Sequence, residues 1–373
     1  MKQLIKKVVL NIMSICRIKD ILIFESNADY SDNARAFYEY LISKKYNETT
    51  YTIHAYRLSD EARLSSMTMT NNTQQELKNV SLRISFEPEF AKIFESVPVD
   101  LRPNQPVEIS PVNIVMLSEY LFSLTEKLVG SVTVEAVQGD EVLASQVSTI
   151  ELLAYDQWTG VLFMPETAAA FMTPNHPKVQ EVISAASLYL QKWCGDPAFT
   201  GYQSRNPNIV KQQMGAIYAA LQEQNIAYTM PPASYEQAQR IRMPDSVLES
   251  KSGTCLDLSV LYCTCLEAVG LNPLLLIVKG HAFAGCWLEE ETFSDCLQYD
   301  VSAVTKRIAH GIDAISIVEC TDFVAGKNTD FDSAEKHAAA HLEDPSKFYF
   351  AIDITRDSLD ISYTGFTCVF YLD

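Results

Sequence analysis

Two residues in this chain have the types and spacing for thiol chemistry. Cys255 lies in Gly253-Thr254-Cys255-Leu256-Asp257-Leu258, and His281 lies in Lys279-Gly280-His281-Ala282-Phe283. Thr254 is a good helix N-cap, with Asp257 three residues on as its acidic partner. Cys255 therefore belongs to the first helical turn. There the backbone N–H groups and the positive end of the helix dipole favour a thiolate and can hold a developing oxyanion. The Asp257 carboxylate partly opposes that. His281 opens a strand, with Gly280 before it allowing close backbone approach, and Phe283, Gly285 and Trp287 share its face.

A third group should orient the imidazole. The run Ile315-Ser316-Ile317-Val318-Glu319-Cys320-Thr321 reads as a neighbouring strand, and Glu319 is an acid on an otherwise apolar segment. Asp300 is the competing choice and Asp295 the next. Gln239 is the candidate side-chain donor to an oxyanion. Cysteines inside an apolar helical stripe, such as Cys263 and Cys265, read as core residues.

Other chemistries fit less well. Cys255, His281, Cys286, Cys296 and Cys320 are zinc-ligand types, but none has C-x-x-C spacing. His337-Ala338-Ala339-Ala340-His341 puts two imidazoles one helical turn apart without the glutamate of a zinc hydrolase. Glu335, Lys336, Glu343 and Asp344 around them suggest a solvated face. No G-x-x-x-x-G-K phosphate loop or dinucleotide glycine pattern occurs, so no metal and no cofactor is expected.

The elements that must position these residues fall into regions of different texture. Residues 1–60 read as a basic helix, a strand at Ile21-Leu22-Ile23-Phe24, a helix from about Asp32 to Lys45, and a strand at Tyr51-Thr52-Ile53, a short α/β segment. Residues 64–157 change to strand period. Val80 to Phe86 and Ser131 to Val137 alternate, a turn falls at Gln138-Gly139-Asp140-Glu141, and Val142 to Leu153 returns. This predicts an immunoglobulin-like antiparallel β-sandwich. Residues 160–355 begin with helices from Pro177 to about Trp193 and Pro207 to about Gln224, then a short helix after Asp245. The cysteine helix carries the stripe Leu258, Leu261, Tyr262, Cys265 and Val269 and stops at Gly270. Strands follow at Leu274–Val278, His281–Leu288, Ala314–Thr321 and Phe348–Ile352. The fold class is α+β, and 356–373 form a C-terminal tail.

The 373 residues carry 47% hydrophobic residues and a net charge of −18. The charge argues against direct nucleic-acid binding, which needs a basic stripe. Nine scattered cysteines suit a reduced, cytoplasmic setting better than a disulfide framework. No run is long and apolar enough to span a bilayer. The first sixteen residues allow an amphipathic helix touching a membrane surface.

Ser252-Gly253-Thr254-Cys255-Leu256-Asp257-Leu258 with Gly280-His281-Ala282-Phe283 resembles the transglutaminase-like, papain-like superfamily of cysteine hydrolases. The resemblance implies that Cys255 is the nucleophile, His281 its base, and that the third acid falls at Glu319, where relatives carry aspartate. A wider stretch, about 75–355, resembles the region N-terminal to the helicase in large bacterial superfamily 1 helicase-like proteins. It rests on Asp156-Gln157-Trp158-Thr159-Gly160, Pro174-Asn175, Gly201-Tyr202-Gln203-Ser204, Pro231-Pro232-Ala233-Ser234-Tyr235 and Gln239-Arg240-Ile241-Arg242. It implies a sandwich followed by a transglutaminase-like domain; no helicase residues are present, so helicase activity is not implied. Residues 21–40 resemble the start of CDP-glycerol glycerophosphotransferases, without that family's catalytic halves. The expectation is thus a thiol-dependent protease or amidase, or an acyltransferase, acting on a protein or peptide. The alternatives are a non-catalytic interaction module of a helicase-associated system, and a glycerophosphotransferase-related fragment.

Overall fold

The computed structural model describes residues 21–22, 51–53, 61–64, 67–158, 160–161, 165–230, 239–354 and 370–371. The chain divides into two compact units, Met1–Tyr155 with Tyr363–Asp373, and Asp156–Ser362. The whole is α+β, with its N-terminal region built mainly from sheets.

The first unit centres on a meander of β1 (Leu77–Glu87), β2 (Leu128–Gln138) and β3 (Glu141–Leu152), antiparallel throughout. Alternation in β1 puts Val80, Leu82, Ile84 and Phe86 into the core, because successive side chains leave opposite faces of a strand. Gly139, at φ +59°, turns β2 into β3; a left-handed residue is cheapest as glycine. Two two-stranded ladders, Glu61–Leu64 with Val112–Val115 and Met67–Thr70 with Pro106–Ile109, contribute Met67, Met69, Ile109, Val112 and Ile114 to the same core. Tyr51–Ile53 runs parallel to β3, and Ile21–Leu22 pairs with Phe370–Tyr371. The expected helices at 1–20 and 32–45, most of the transferase-like stretch 21–40, and most of the tail 356–373 lie outside the described residues.

The first long helices of the second unit are α1 (Pro177–Cys194) and α2 (Pro207–Gln222). Each has proline at its first position, where a missing N–H costs nothing, and a side-chain cap from His176 or Asn206. After the short helix Pro244–Ser250 comes α3 (Cys255–Ala268), which packs against α1 and α2 and against the sheet. The sheet is antiparallel, in the order Leu297–Gln298, Phe348–Asp353, Pro273–Val278, His281–Trp287, Ile315–Val318. Its strands are β4 (Pro273–Val278), β5 (His281–Trp287), β6 (Leu297–Gln298) and β7 (Ile315–Val318), then, after α4 (Phe331–Ala340), β8 (Phe348–Asp353).

Two sequence readings change here. The apolar stripe of α3 is not a stripe: Cys255 through Leu266 are all buried. Polar residues survive inside because Ser259 Oγ donates to the Cys255 carbonyl and Thr264 Oγ1 to that of Val260, each at 2.7 Å, satisfying the hydroxyls within the helix. The strand expected over Ala314–Thr321 ends at Val318. Glu319 then caps a 3₁₀ turn, Cys320–Asp322, rather than pointing off a strand.

Candidate active site

The start of α3 is fixed by a reciprocal capping box. Asp257 N–H donates to Thr254 Oγ1 at 3.3 Å, and Thr254 N–H donates to Asp257 Oδ2 at 2.9 Å. The other Asp257 oxygen accepts the Arg242 N–H at 2.8 Å. Burial pushes the Asp257 carboxyl up, against the pull of these hydrogen bonds. Cys255, 1% exposed, is the first residue of the helix.

Just before it, Ser252–Gly253 forms a parallel bridge with Ala227–Tyr228. This brings Tyr228 beside the first turn, where its hydroxyl hydrogen-bonds with Cys255; burial, then the Cys255 charge and hydrogen bond, raise the phenol above its ordinary range. Gly253 packs closely there, and a side chain would make its neighbours give by a few tenths of an ångström. A Cβ on it would lie 3.3 Å from the Cβ of Asp257 and 3.4 Å from Leu258 and Val247.

His281 enters from the sheet. The tight turn Lys279-Gly280, with Gly280 at φ +75°, pairs His281 with Val278. Its Nε2 lies 2.7 Å from Glu319 Oε2. With Nε2 so engaged, Nδ1 is the ring nitrogen left to serve Cys255. Burial works against a charged imidazole, but hydrogen bonds to Cys255 and Glu319 and their negative charge outweigh it, raising His281 to about 10.

Glu319 is held on every side. Its backbone N–H donates to the Ala334 carbonyl of α4 at 3.1 Å. Oε1 accepts from Thr321 N–H at 2.8 Å, and Oε2 accepts from both His281 and His341, the latter at 2.9 Å. Burial opposes its ionisation, but hydrogen bonds from the two histidines, the charge on His281 and the Thr321 bond keep the carboxyl well below the usual range. The rings of His281 and His341 lie 4.5 Å apart, centroid to centroid.

The structure thus brings Cys255, His281 and Glu319 together and leaves the other candidates elsewhere. Asp300 caps the short helix Val301–Thr305: its carboxylate accepts from Ser302 N–H at 2.8 Å and Ser302 Oγ at 2.7 Å. Those bonds hold it below its ordinary value and commit it away from the imidazole. Asp295 accepts from Ser294 Oγ at 2.8 Å. Gln239 is 2% exposed and pairs with Trp158 in a two-residue bridge. Its Nε2 donates to the Arg240 carbonyl at 3.1 Å, so one of its two amide donors is engaged by backbone, while Oε1 is buried without a hydrogen-bond partner.

The cysteine-rich zinc grouping does not form. Cys286 and Cys320 donate to the backbone carbonyls of Trp287 and Val318, and burial raises both thiols. Among the described residues, the cysteines are free thiols. The expected solvated face holds at His337, which is exposed, and only in part at His341, which is half-buried. His337 Nδ1 lies 2.6 Å from Asp322 Oδ2, and His341 reaches Glu319, so each is tied to a buried acid.

Tyr228 and His341 are the site residues that sequence reasoning missed. For His341 a signal existed: a helical His-x-x-x-His pair beginning fifteen residues after Asp322. For Tyr228 none did.

No family model and no curated protein matches this chain. Among solved structures, a Parabacteroides distasonis protein proposed to be a protease aligns at 14% identity and a TM-score of 0.22, covering 61% of this chain and 42% of that one. The chain therefore spans less than half the length of that neighbour, and a score so low supports no inference about fold or activity.

Proposed function

We propose that this chain is a thiol-dependent hydrolase of amide bonds, in which Cys255 is the nucleophile, His281 the base and Glu319 the group that orients the imidazole. The observation that carries the reading is the convergence of Cys255 at a capped helix start with His281, whose imidazole it perturbs and whose Nε2 lies 2.7 Å from Glu319 Oε2. Nucleophile, base and orienter stand in the order that thiol catalysis requires.

The steps follow from that order. Cys255 gives its proton to His281 Nδ1, and the sulfur attacks the substrate carbonyl carbon. The N–H groups of the first turn of α3 face the oxyanion that forms. His281 passes its proton to the departing amine as the C–N bond breaks, leaving a thioester. Water, deprotonated by the same imidazole, attacks the thioester, and the thiol and imidazole return to their starting forms. Glu319 keeps Nε2–H in place throughout. Incoming substrate replaces the Tyr228 hydroxyl as the neighbour of the sulfur. A protein or peptide is the substrate class that fits an amide-cleaving thiol. An amine in place of water gives acyl transfer by the same intermediate.

Labelling of the reduced protein with a panel of thiol-directed electrophiles, read by peptide mass spectrometry, tests this. Cys255 should react first near neutral pH, ahead of the exposed Cys194, and cleavage of a peptide-amide library should vanish in Cys255→Ala. Equal labelling of Cys194 and Cys255, with no cleavage, would favour a non-catalytic interaction module.

A further inference from the structure

We propose that His281 Nε2, Glu319 Oε2 and His341 Nε2 form a binding site for a zinc-type divalent cation, and that its occupation switches the Cys255–His281 pair off. The first half rests on geometry alone. The second half rests on the hydrolase reading above.

The three donor atoms lie within 4.8 Å of one another, with separations of 2.7 and 2.9 Å from the shared carboxylate oxygen. Tetrahedral zinc with bonds of about 2.0–2.1 Å spaces its ligands about 3.3 Å apart. The set therefore needs to open by about half an ångström on that estimate. His341 is placed to supply the movement. It stands at the C-terminal end of α4, and its side chain is 37% exposed against 5% for Glu319. The same exposure gives the ion a way in.

The chemistry of the donors selects the ion. Two imidazoles and one carboxylate suit zinc and its transition-metal neighbours, whereas magnesium and calcium favour all-oxygen sites. The supporting contacts are already in place. Thr321 N–H holds the second oxygen of Glu319, and the Glu319 backbone is tied to α4; such outer contacts orient ligands and strengthen binding. Cys255 is not among the donors that cluster within 4.8 Å, so sulfur lies outside the ligand set and the fourth position is left to water.

A metal on His281 Nε2 takes the lone pair that otherwise carries the proton shared with Glu319, and that proton leaves to solvent. The ring then holds its remaining proton on Nδ1, facing Cys255. Passing that proton to a leaving amine would create a metal-bound imidazolate, so the proton shuttle of the catalytic cycle stalls. Removing the ion restores the Nε2–H bond to Glu319.

Calorimetric titration of the reduced, full-length chain with zinc chloride tests the site. Wild type should bind one equivalent in the micromolar range. His341→Ala should lose at least about 100-fold in affinity, more than the loss of an outer-shell partner causes, and Cys255→Ala should keep it. His341→Gln serves as a second variant should His341→Ala fold poorly by circular dichroism. Cobalt(II) in the same site should show visible d–d bands without the near-ultraviolet thiolate band that a cysteine ligand adds. No binding to wild type up to millimolar zinc, or equal binding in both His341 variants, overturns the site. Zinc should also slow wild-type turnover reversibly and leave the residual turnover of His341→Ala unchanged. If zinc binds through His341 and turnover ignores it, the switch is wrong and the site stands. If no turnover is found in any form, the hydrolase reading falls, and the titration still decides the site.

Discussion

The buried polar groups of the two units differ in kind. In the first unit, those among the described residues are uncharged: Asn71, Ser81 and Ser96. Their work is local. Asn71 Nδ2 donates to the Gln75 and Leu101 carbonyls, and Ser96 Oγ accepts from Leu82 N–H at 2.9 Å. In the second unit the buried set includes Asp156, Asp257, Glu319, Asp322 and Asp353. Burying a carboxylate costs far more than burying an amide or hydroxyl, and each needs dedicated donors. Asp156 has Arg240, Asp257 has two backbone N–H groups, Glu319 has two histidines, and Asp322 has His337 and Lys327. Buried neutral groups close turns and strand edges. Asp257, Glu319 and Asp322 lie at the start of α3 and on the turn beside His281, whereas Asp156 is held by Arg240 and Asp353 by the Trp287 indole and the Phe293 N–H.

Substitutions can break this contrast. The largest effect is expected at Cys255→Ala: turnover should fall by at least about 10⁴-fold, as for removal of a nucleophile, while the urea midpoint stays close to wild type. Retained turnover would show that the charge-rich unit serves stability only. Next is Glu319→Ala, which strands two histidines and a capped turn. It should cost about 3 kcal/mol, measured by urea denaturation. Asp257→Ala removes the capping box and the Arg242 contact and should cost about 2 kcal/mol. Ser96→Ala, in the neutral unit, should cost about 1 kcal/mol and leave turnover intact.

The pH dependence sharpens the same contrast. His281 has an ordinary value of 6.5 and is raised to about 10. Its contribution to stability is therefore whole below 6.5 and fades as pH rises toward 10. Glu319 is lowered from 4.5, so its contribution is present above 4.5 and fades as pH falls below that. Urea midpoints should show a plateau between those values and decline on both sides. Ser96→Ala should shift the midpoint by the same amount at every pH, and Glu319→Ala should flatten the acid side. A wild-type profile flat from pH 3 to 10 would remove the ion pair from the account.

Much of this was legible from local signals. The capping box of Thr254 and Asp257, the proline starts of α1 and α2, and the Gly280 turn before His281 are all short-range, so their positions follow from neighbours in sequence. Glu319 was legible as an anomalous acid, but not as the cap of a 3₁₀ turn. Its conformation depends on α4, whose Ala334 carbonyl takes its N–H. Gln239 misled because its burial against Trp158, far away in sequence, decides where its amide points. Tyr228 arrives through a parallel bridge to Gly253, and His341 through packing of α4 on the turn after β7. The Tyr228 contact leaves no trace in the spacing of nearby residues, whereas His341 is marked only by its helical pairing with His337. The stripe on α3 misled for a related reason: a helix enclosed on all sides carries no amphipathic period.

The double tie between α4 and the turn that follows β7 has a metrical basis. His337 and His341 are four residues apart on an α-helix, a rise of about 6 Å. Glu319 and Asp322 are three residues apart along a 3₁₀ turn, which at about 2 Å per residue is also about 6 Å. The two scales coincide, so both imidazoles meet their acids at once. Changing the residue count between either pair by one would put the rungs out of step and leave one acid without its histidine. The interval of that short turn is thus as much a constraint on this chain as the identity of any residue in it.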